Sequence, residues 1–127
     1  MELVLVVMLV ALIEYMVFAG LVGRARSQYG VHAPATTGHP QFERVNRVHQ
    51  NTLEALVIFI PALLVFAYYL NAPWAAGLGV LFIIARAIYA VSYIRAAEKR
   101  GIGAGLTGIV NIVLVVGALV GLGKHWF

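Results

Sequence analysis

The sequence contains no cysteine and few charged residues, and both deficits restrict what the protein can be. Without cysteine there can be no disulfide, no thiolate metal site and no protein thiol nucleophile, so any sulfur chemistry must arrive with a bound small molecule. Only 11% of the 127 residues are charged, whereas 62% are hydrophobic and the mean hydropathy is +0.92. Soluble globular domains carry about 25% charged residues. The composition therefore indicates a membrane protein.

Four apolar segments account for most of the chain. Each is close to the roughly 20 residues that cross a ~30 Å hydrocarbon core as a helix. Because little of the chain remains for loops, we expect one all-α domain over residues 1–127, an integral membrane four-helix bundle. The segments are Leu3–Val22, Leu53–Leu70, Trp74–Ile94 and Ile102–Leu122.

The ends of the helices follow from proline, glycine and charge. Glycine and proline punctuate the first loop, Ser27–Gln41, as irregular structure. Helix two is expected to begin near Phe42 or Glu43 and to continue across Pro61, which should kink it. Helix three is expected to run to about Glu98.

The positive charges lie in two of the three loops. Four arginines flank the first loop and three cations flank the third, whereas the short turn at residues 71–73 carries no charge. The positive-inside rule then places loops one and three in the cytoplasm and both termini outside. This placement explains the net charge of +4 without nucleic acid. We expect a multi-pass protein of a bacterial inner membrane, in contact with membrane lipids.

A polar stripe marks the start of helix two. Arg44, Arg47, Asn51 and Glu54 recur at offsets of three, four and three residues, which stacks them along one helix face. Lipid phosphates alone could account for the two arginines. A carboxylate facing lipid would cost about 2.5–3.5 kcal/mol, so Glu54 and Asn51 indicate a partner or a polar ligand.

Helix three carries a second polar stripe at similar spacing, formed by Arg86, Tyr89, Tyr93 and Arg100. Arg86 precedes Arg95 by nine residues, which places it ~14 Å deeper in the membrane, beyond easy reach of water. We interpret Arg86 as the partner of Glu54 in an interhelical ion pair. Such a pair could also form the floor of a ligand pocket.

Several remaining polar or glycine-rich features have ordinary explanations. The G-x-G-x-x-G pattern at residues 103–108 follows a membrane helix, and no acidic residue comes after it, so a dinucleotide site is excluded. Helix packing through Gly101 and Gly105, and through Gly117 and Gly121, is the better interpretation.

The isolated ionisable residues give weaker signals. The four histidines lack the spacing of a metal site, and only His49 lies where it could contact a ligand. Glu14 lies near the middle of helix one, where a protonated carboxyl that bonds another helix is expected; Asn111 is the candidate partner.

These residues together resemble the MAPEG family, membrane proteins of eicosanoid and glutathione metabolism. The resemblance covers essentially the whole chain. It rests on E-R-V-x-R-x-H-x-N-x-x-E from Glu43 to Glu54, followed by Ala85–Arg86, Tyr89, Tyr93 and Arg100. The chain departs from leukotriene C4 synthase at Ala55, where that enzyme has a tyrosine, and at Ser27, where it has a second arginine.

The resemblance implies a homotrimer with glutathione bound between adjacent subunits near the cytoplasmic face. Arg100 would lie beside the thiol and stabilise the catalytic thiolate. No metal is implied. The residues expected to bind glutathione are Arg26, Arg47, His49, Asn51, Glu54, Arg86, Tyr89 and Tyr93.

Two functions fit these expectations. The first is a glutathione transferase that conjugates the glutathione thiolate to a lipophilic electrophile, with peroxidase activity toward a lipid hydroperoxide as an extension. The second is a lipid-binding scaffold of the same fold without catalysis. Retention of Arg47, Arg86 and Arg100 favours the enzyme, because a lipid binder has no need of these cations.

Overall fold

The computed structural model describes residues 1–127, with the exception of the side chain of Ala97. Within these described residues the chain forms four long α-helices and one short 3₁₀ turn, which confirms the all-α membrane bundle. The shortest helix has 24 residues and is therefore about 36 Å long, enough to cross a hydrocarbon core. The elements are α1 (Glu2–Tyr29), α2 (Pro40–Tyr69), α3 (Ala72–Arg95), the 3₁₀ turn (Ala97–Lys99) and α4 (Gly101–Trp126).

Helix α2 begins earlier than the sequence suggests. Its first residue is Pro40, not Phe42 or Glu43. Proline suits the first helical turn because its missing N–H would have no partner there. His39 caps the helix, since its Nδ1 accepts a hydrogen bond from the Gln41 amide at 3.1 Å. The early start adds two or three residues, less than one turn, to the polar end of α2.

Two other helix ends also differ from expectation. Helix α1 continues to Tyr29, into the segment from Ser27 that was expected to be irregular, and ends where Gly30 adopts a left-handed φ of 66°. Helix α3 ends at Arg95, short of Glu98, and the 3₁₀ turn then connects it to α4. Neither change alters the number or order of the membrane-spanning segments among the described residues.

The bundle has an apolar interior and an apolar exterior. Phe59 and Phe82 are fully buried and stack with ring centroids 3.9 Å apart between α2 and α3. On the outside, Val57, Ile112 and Leu119 remain about two-thirds exposed. In water such a surface would aggregate, whereas lipid tails solvate it at no cost. The fold therefore needs either lipid or further protein around it.

Glycine allows several close helix contacts. A Cβ on Gly103 would lie 2.5 Å from the Tyr89 backbone nitrogen, so the backbones of α3 and α4 approach closely there. Gly117 and Gly121 pack against the C-terminal end of α2, as expected. The expectation for Gly101 and Gly105 is wrong, because no atom lies within 4 Å of a Cβ at either position.

Candidate functional site

A polar cavity lies where the first turns of α2 meet the first loop and the C-terminal half of α3. Its volume is about 400 Å³, within the range of small-molecule sites. It is open on one side, and cationic, carboxylate and amide groups all line it. The lining residues are Thr36, Pro40, Glu43, Arg44, Asn46, Arg47, Gln50 and Tyr93.

The helix-two stripe faces outward from the single chain. Arg47 and Glu54 are exposed, and Asn51 between them is half-buried. Arg44 has a different task, since its Nη1 donates to the backbone carbonyls of Ile94 and Arg95 at 3.4 Å each. These carbonyls are at the end of α3, where no helical partner remains. Arg44 therefore ties α2 to α3, whereas Arg47 and Glu54 remain exposed on the outer face of α2.

The expected ion pair between Arg86 and Glu54 is wrong. Arg86 is only 1% exposed, whereas Glu54 faces the outside. The guanidinium instead donates from Nη2 to Asn51 Oδ1 at 2.8 Å and to Thr52 Oγ1 at 2.9 Å, and from Nη1 to Thr107 Oγ1 at 3.3 Å. The buried cation is thus held by neutral oxygens of α2 and α4.

The two threonines in this cluster were not singled out from the sequence as partners of Arg86. The hydroxyl of Thr52 donates to the Val48 carbonyl at 2.8 Å, and that of Thr107 donates to the Gly103 carbonyl, also at 2.8 Å. Each oxygen keeps its lone pairs for the guanidinium. Thr107 could have been identified as a partner of Arg86, because it is one of few polar residues in the otherwise apolar α4. Thr52 lies among other polar residues, and only the structure identifies it as a partner.

Arg86, Tyr89 and Tyr93 of α3 form a connected series of cation and aromatic groups. Arg100 joins this series, but it does not lie on the third helix as expected, because α3 ends at Arg95. The Arg86 guanidinium lies 4.3 Å from the centre of the Tyr89 ring, and the Tyr89 and Tyr93 ring centroids are 5.5 Å apart. Arg100 then lies over the Tyr93 ring at 5.7 Å. The series runs from the buried centre of the bundle to its polar end. Tyr93 also lines the cavity, so the series meets that site through Tyr93.

Arg100 directly precedes α4 and occupies its N-cap position. The first N–H groups of a helix lack internal partners and together carry a partial positive charge of about half a unit. A cationic side chain and a helix N-terminus therefore lie at the same end of the site. Both favour an anion, such as a thiolate, near Tyr93.

The structure does not bring His49 or Arg26 into the cavity of a single chain. His49 lies about 200° around α2 from Arg47 at 100° per residue, and its ring stacks on Tyr15 of α1 with centroids 4.5 Å apart. Arg26 donates to the Ala35 carbonyl at 2.8 Å and lies over the Phe42 ring. It therefore braces the first loop against the start of α2.

Asn111 is not the partner of Glu14. Its Nδ2 donates to the Ala55 carbonyl at 3.2 Å, and so ties α4 to α2. Glu14 belongs to the inward stripe of α1 that includes Ala11 and Phe18. One oxygen of its carboxyl, Oε1, is buried without a hydrogen-bond partner in the structure.

Comparison with known proteins gives consistent matches along the chain. An uncharacterised protein of Synechocystis sp. is 49% identical over 108 residues, which cover 85% of this chain and 79% of that protein. Microsomal glutathione S-transferase 2 of Homo sapiens is 44% identical over 103 residues, or 80% of this chain and 70% of the human protein.

A third relative matches over a shorter region. Leukotriene C4 synthase of Cavia porcellus is 38% identical over 77 residues, which cover 61% of this chain and 51% of that enzyme. The sequence pattern of the MAPEG family matches residues 4–120, nearly the whole chain and all of the site residues described above. The protein is therefore a member of the MAPEG family.

Proposed function

We propose that this protein is a membrane glutathione transferase that conjugates the glutathione thiolate to a lipophilic electrophile. The observation that carries the proposal is the outward stripe of α2, where Arg47, Asn51 and Glu54 share one face beside a polar cavity of about 400 Å³. The similarity to microsomal glutathione S-transferase 2 supports this assignment.

The charges around the cavity suit glutathione. This tripeptide carries two carboxylates and one ammonium group, so its site should offer more than one cation and at least one carboxylate. Arg47 would bind a carboxylate through charge-assisted hydrogen bonds. Glu54 follows Arg47 by seven residues, about two helical turns further along the same face, and would accept from the ammonium group. Tyr93 would close the site from α3.

The nucleophile in this reaction comes from the co-substrate, because the chain has no cysteine. The thiol of glutathione loses its proton to solvent and becomes a thiolate beside Arg100 and the N-terminus of α4, both of which stabilise the anion. The thiolate sulfur attacks the electrophilic carbon and forms a carbon–sulfur bond. The leaving group, a halide in an aryl halide, departs with the electron pair of the bond that breaks.

The electrophile would enter from the bilayer. Ile58 follows Glu54 by four residues and continues the same face of α2 into an apolar groove between α2 and α4, with a volume of about 370 Å³. An apolar molecule in this groove would reach the thiolate without crossing water. A lipid hydroperoxide would bind in the same way. The thiolate would attack the outer peroxide oxygen, the oxygen–oxygen bond would break, and the alcohol would leave after protonation. A second glutathione would then attack the sulfur of the resulting glutathione sulfenic acid and give glutathione disulfide and water.

We also propose that the active protein is a homotrimer with its sites facing the cytoplasm. In one chain Arg47 and Glu54 are exposed beside apolar α2 residues such as Leu53 and Val57. A neighbouring subunit would cover this mixed surface and enclose the ligand. His49 and Arg26, which point away from the cavity of their own chain, could take part only where subunits meet.

Isothermal titration of the purified protein in detergent with glutathione tests the binding step, and turnover with 1-chloro-2,4-dinitrobenzene tests the chemistry. We expect both saturable binding and conjugate formation. If the protein binds glutathione but turns over neither 1-chloro-2,4-dinitrobenzene nor a lipid hydroperoxide, the non-catalytic scaffold is the better description. Absence of glutathione binding would overturn the proposal.

A further inference from the structure

Arg86 lies inside the bundle, where a bound ligand cannot reach it. The side chain is 1% exposed and is the largest among the fully buried side chains. Its Nε and both Nη atoms donate to oxygens of Thr52, Asn51 and Thr107. Its guanidinium carbon also lies 4.3 Å from the centre of the Tyr89 ring. These contacts occupy most of its hydrogen-bonding capacity within the protein.

The contact with Asn51 fixes the direction of the asparagine amide. Arginine has only donors, so the group that faces it must be the amide oxygen, and the structure has Nη2 and Oδ1 at 2.8 Å. The reverse orientation would place two N–H groups against each other. With Oδ1 held by Arg86, the Nδ2 group is directed to the other side of the amide. Asn51 is half-buried on the face of α2 that also presents Arg47 and Glu54.

We propose that Arg86 is a positioning residue that orients Asn51 so that Nδ2 donates to a carboxylate or carbonyl oxygen of glutathione. This inference rests on the proposed function, because it assigns a source for one contact in that site. Arg86 itself then makes no contact with the ligand. It acts through Asn51, in contrast to Arg47, which is exposed and acts directly.

The same geometry explains why arginine suits this position. Thr52 and Thr107 hold the guanidinium from α2 and α4, and Tyr89 holds its face, so the group cannot rotate. An amide bonded to a fixed donor keeps one orientation, whereas a free asparagine samples several rotamers and both amide directions. The ligand therefore meets a donor that is already in place, which avoids an ordering cost on binding.

A double-mutant cycle on the full-length protein tests this coupling, with glutathione affinity from isothermal titration as the readout. Asn51→Ala and Arg86→Gln should each weaken binding by about tenfold, the loss of one charge-assisted hydrogen bond. The double variant should bind no more weakly than either single variant, because both remove the same contact. Additive losses, or unchanged affinity of Arg86→Gln, would overturn the inference.

Two further variants keep the test decisive if Arg86→Gln does not fold. Asn51→Asp keeps an oxygen for Arg86 but has no N–H to donate, so it should bind glutathione at least tenfold more weakly; wild-type affinity would overturn the inference. Asn111→Leu removes a buried hydrogen bond between α4 and α2 that does not involve Arg86, so it should lower the melting temperature while glutathione affinity is retained. Loss of affinity in Asn111→Leu equal to that in Asn51→Ala would indicate that affinity follows stability alone and would also overturn the inference.

The wild-type titration separates failure of this inference from failure of the proposed function. If the wild type binds glutathione and the losses are additive, only the positioning role of Arg86 is wrong. If the wild type binds no glutathione, the proposed function is wrong and the positioning role is wrong with it.

Discussion

Alanine at position 103 would place a methyl group against the backbone of the neighbouring helix. A Cβ on Gly103 would lie 2.5 Å from the nitrogen and 2.6 Å from the Cα of Tyr89. Ordinary carbon contacts begin near 3.5 Å. The obstructing atoms are backbone atoms, which cannot rotate away as a flexible side chain could. Helices α3 and α4 must therefore separate by about 1 Å or shift along each other.

The energetic cost can be isolated with a matched control. Gly105→Ala introduces the same methyl group into the same helix, two residues away. No atom of another helix lies within 4 Å of a Cβ at that position. Both variants gain the same helix propensity, about 0.8–1.0 kcal/mol in water. That gain cancels in the comparison. The remaining difference is the overpacking cost, about 1–3 kcal/mol, and contact with rigid backbone places it in the upper part of this range.

Thermal unfolding in detergent, followed by circular dichroism, measures this difference. Gly103→Ala should melt several degrees below Gly105→Ala. Because Tyr89 lies between Arg86 and Tyr93, Gly103→Ala should also weaken glutathione binding, whereas Gly105→Ala should leave it unchanged. Equal melting temperatures for the two variants would refute the close approach of α3 and α4 at Tyr89.

The other predictions concern the ligand and the assembly. Arg100→Ala should leave glutathione affinity largely intact but raise the pKa of the bound thiol. The ultraviolet thiolate band at neutral pH and the turnover rate should then both fall by about tenfold, or 1.4 kcal/mol. Lys99→Ala is the control, and coincident thiolate titration curves for wild type and Arg100→Ala would remove Arg100 from the mechanism. Arg47→Ala should weaken glutathione binding by about 1.5–3 kcal/mol without loss of folding. Arg24 is exposed and lies outside the cavity, so Arg24→Ala is the control and should leave glutathione affinity unchanged. Equal affinities of wild type and Arg47→Ala would reassign the stripe to lipid phosphates. Native mass spectrometry in mild detergent should show three chains, and a monomer that still binds glutathione would contradict the intersubunit site.

The membrane bundle could be predicted from the sequence because its cause is local. A run of about 20 apolar residues must form a helix in lipid, since every backbone polar group needs a partner within the same segment. The stripe of Arg47, Asn51 and Glu54 could be predicted for a similar reason, because helix periodicity alone determines which residues share a face. The order of Arg86, Tyr89 and Tyr93 along α3 follows from the same rule, whereas Arg100 lies beyond the end of α3 and reaches Tyr93 only through the fold.

Helix ends were less predictable. Pro40 could have belonged to the loop or to the first turn of α2, and the choice depended on whether a cap was available from His39. The end of α3 at Arg95 depends on Arg44, which lies about 50 residues earlier and donates to the terminal carbonyls of that helix. Such contacts join distant parts of the chain and leave no trace in the local pattern.

The partner of each polar residue was decided only by the tertiary structure. Charge alone favoured Glu54 for Arg86, but the rotation of α2 directs Glu54 outward and turns Asn51 and Thr52 toward the guanidinium. Spacing likewise left every glycine of α4 available for packing, and the helix crossings selected Gly103 against α3 and Gly117 and Gly121 against α2. Sequence periodicity thus determined which side chains share a helix face in this protein. The rotation and crossing of the helices, which depend on the packing of all four, determined what each face meets.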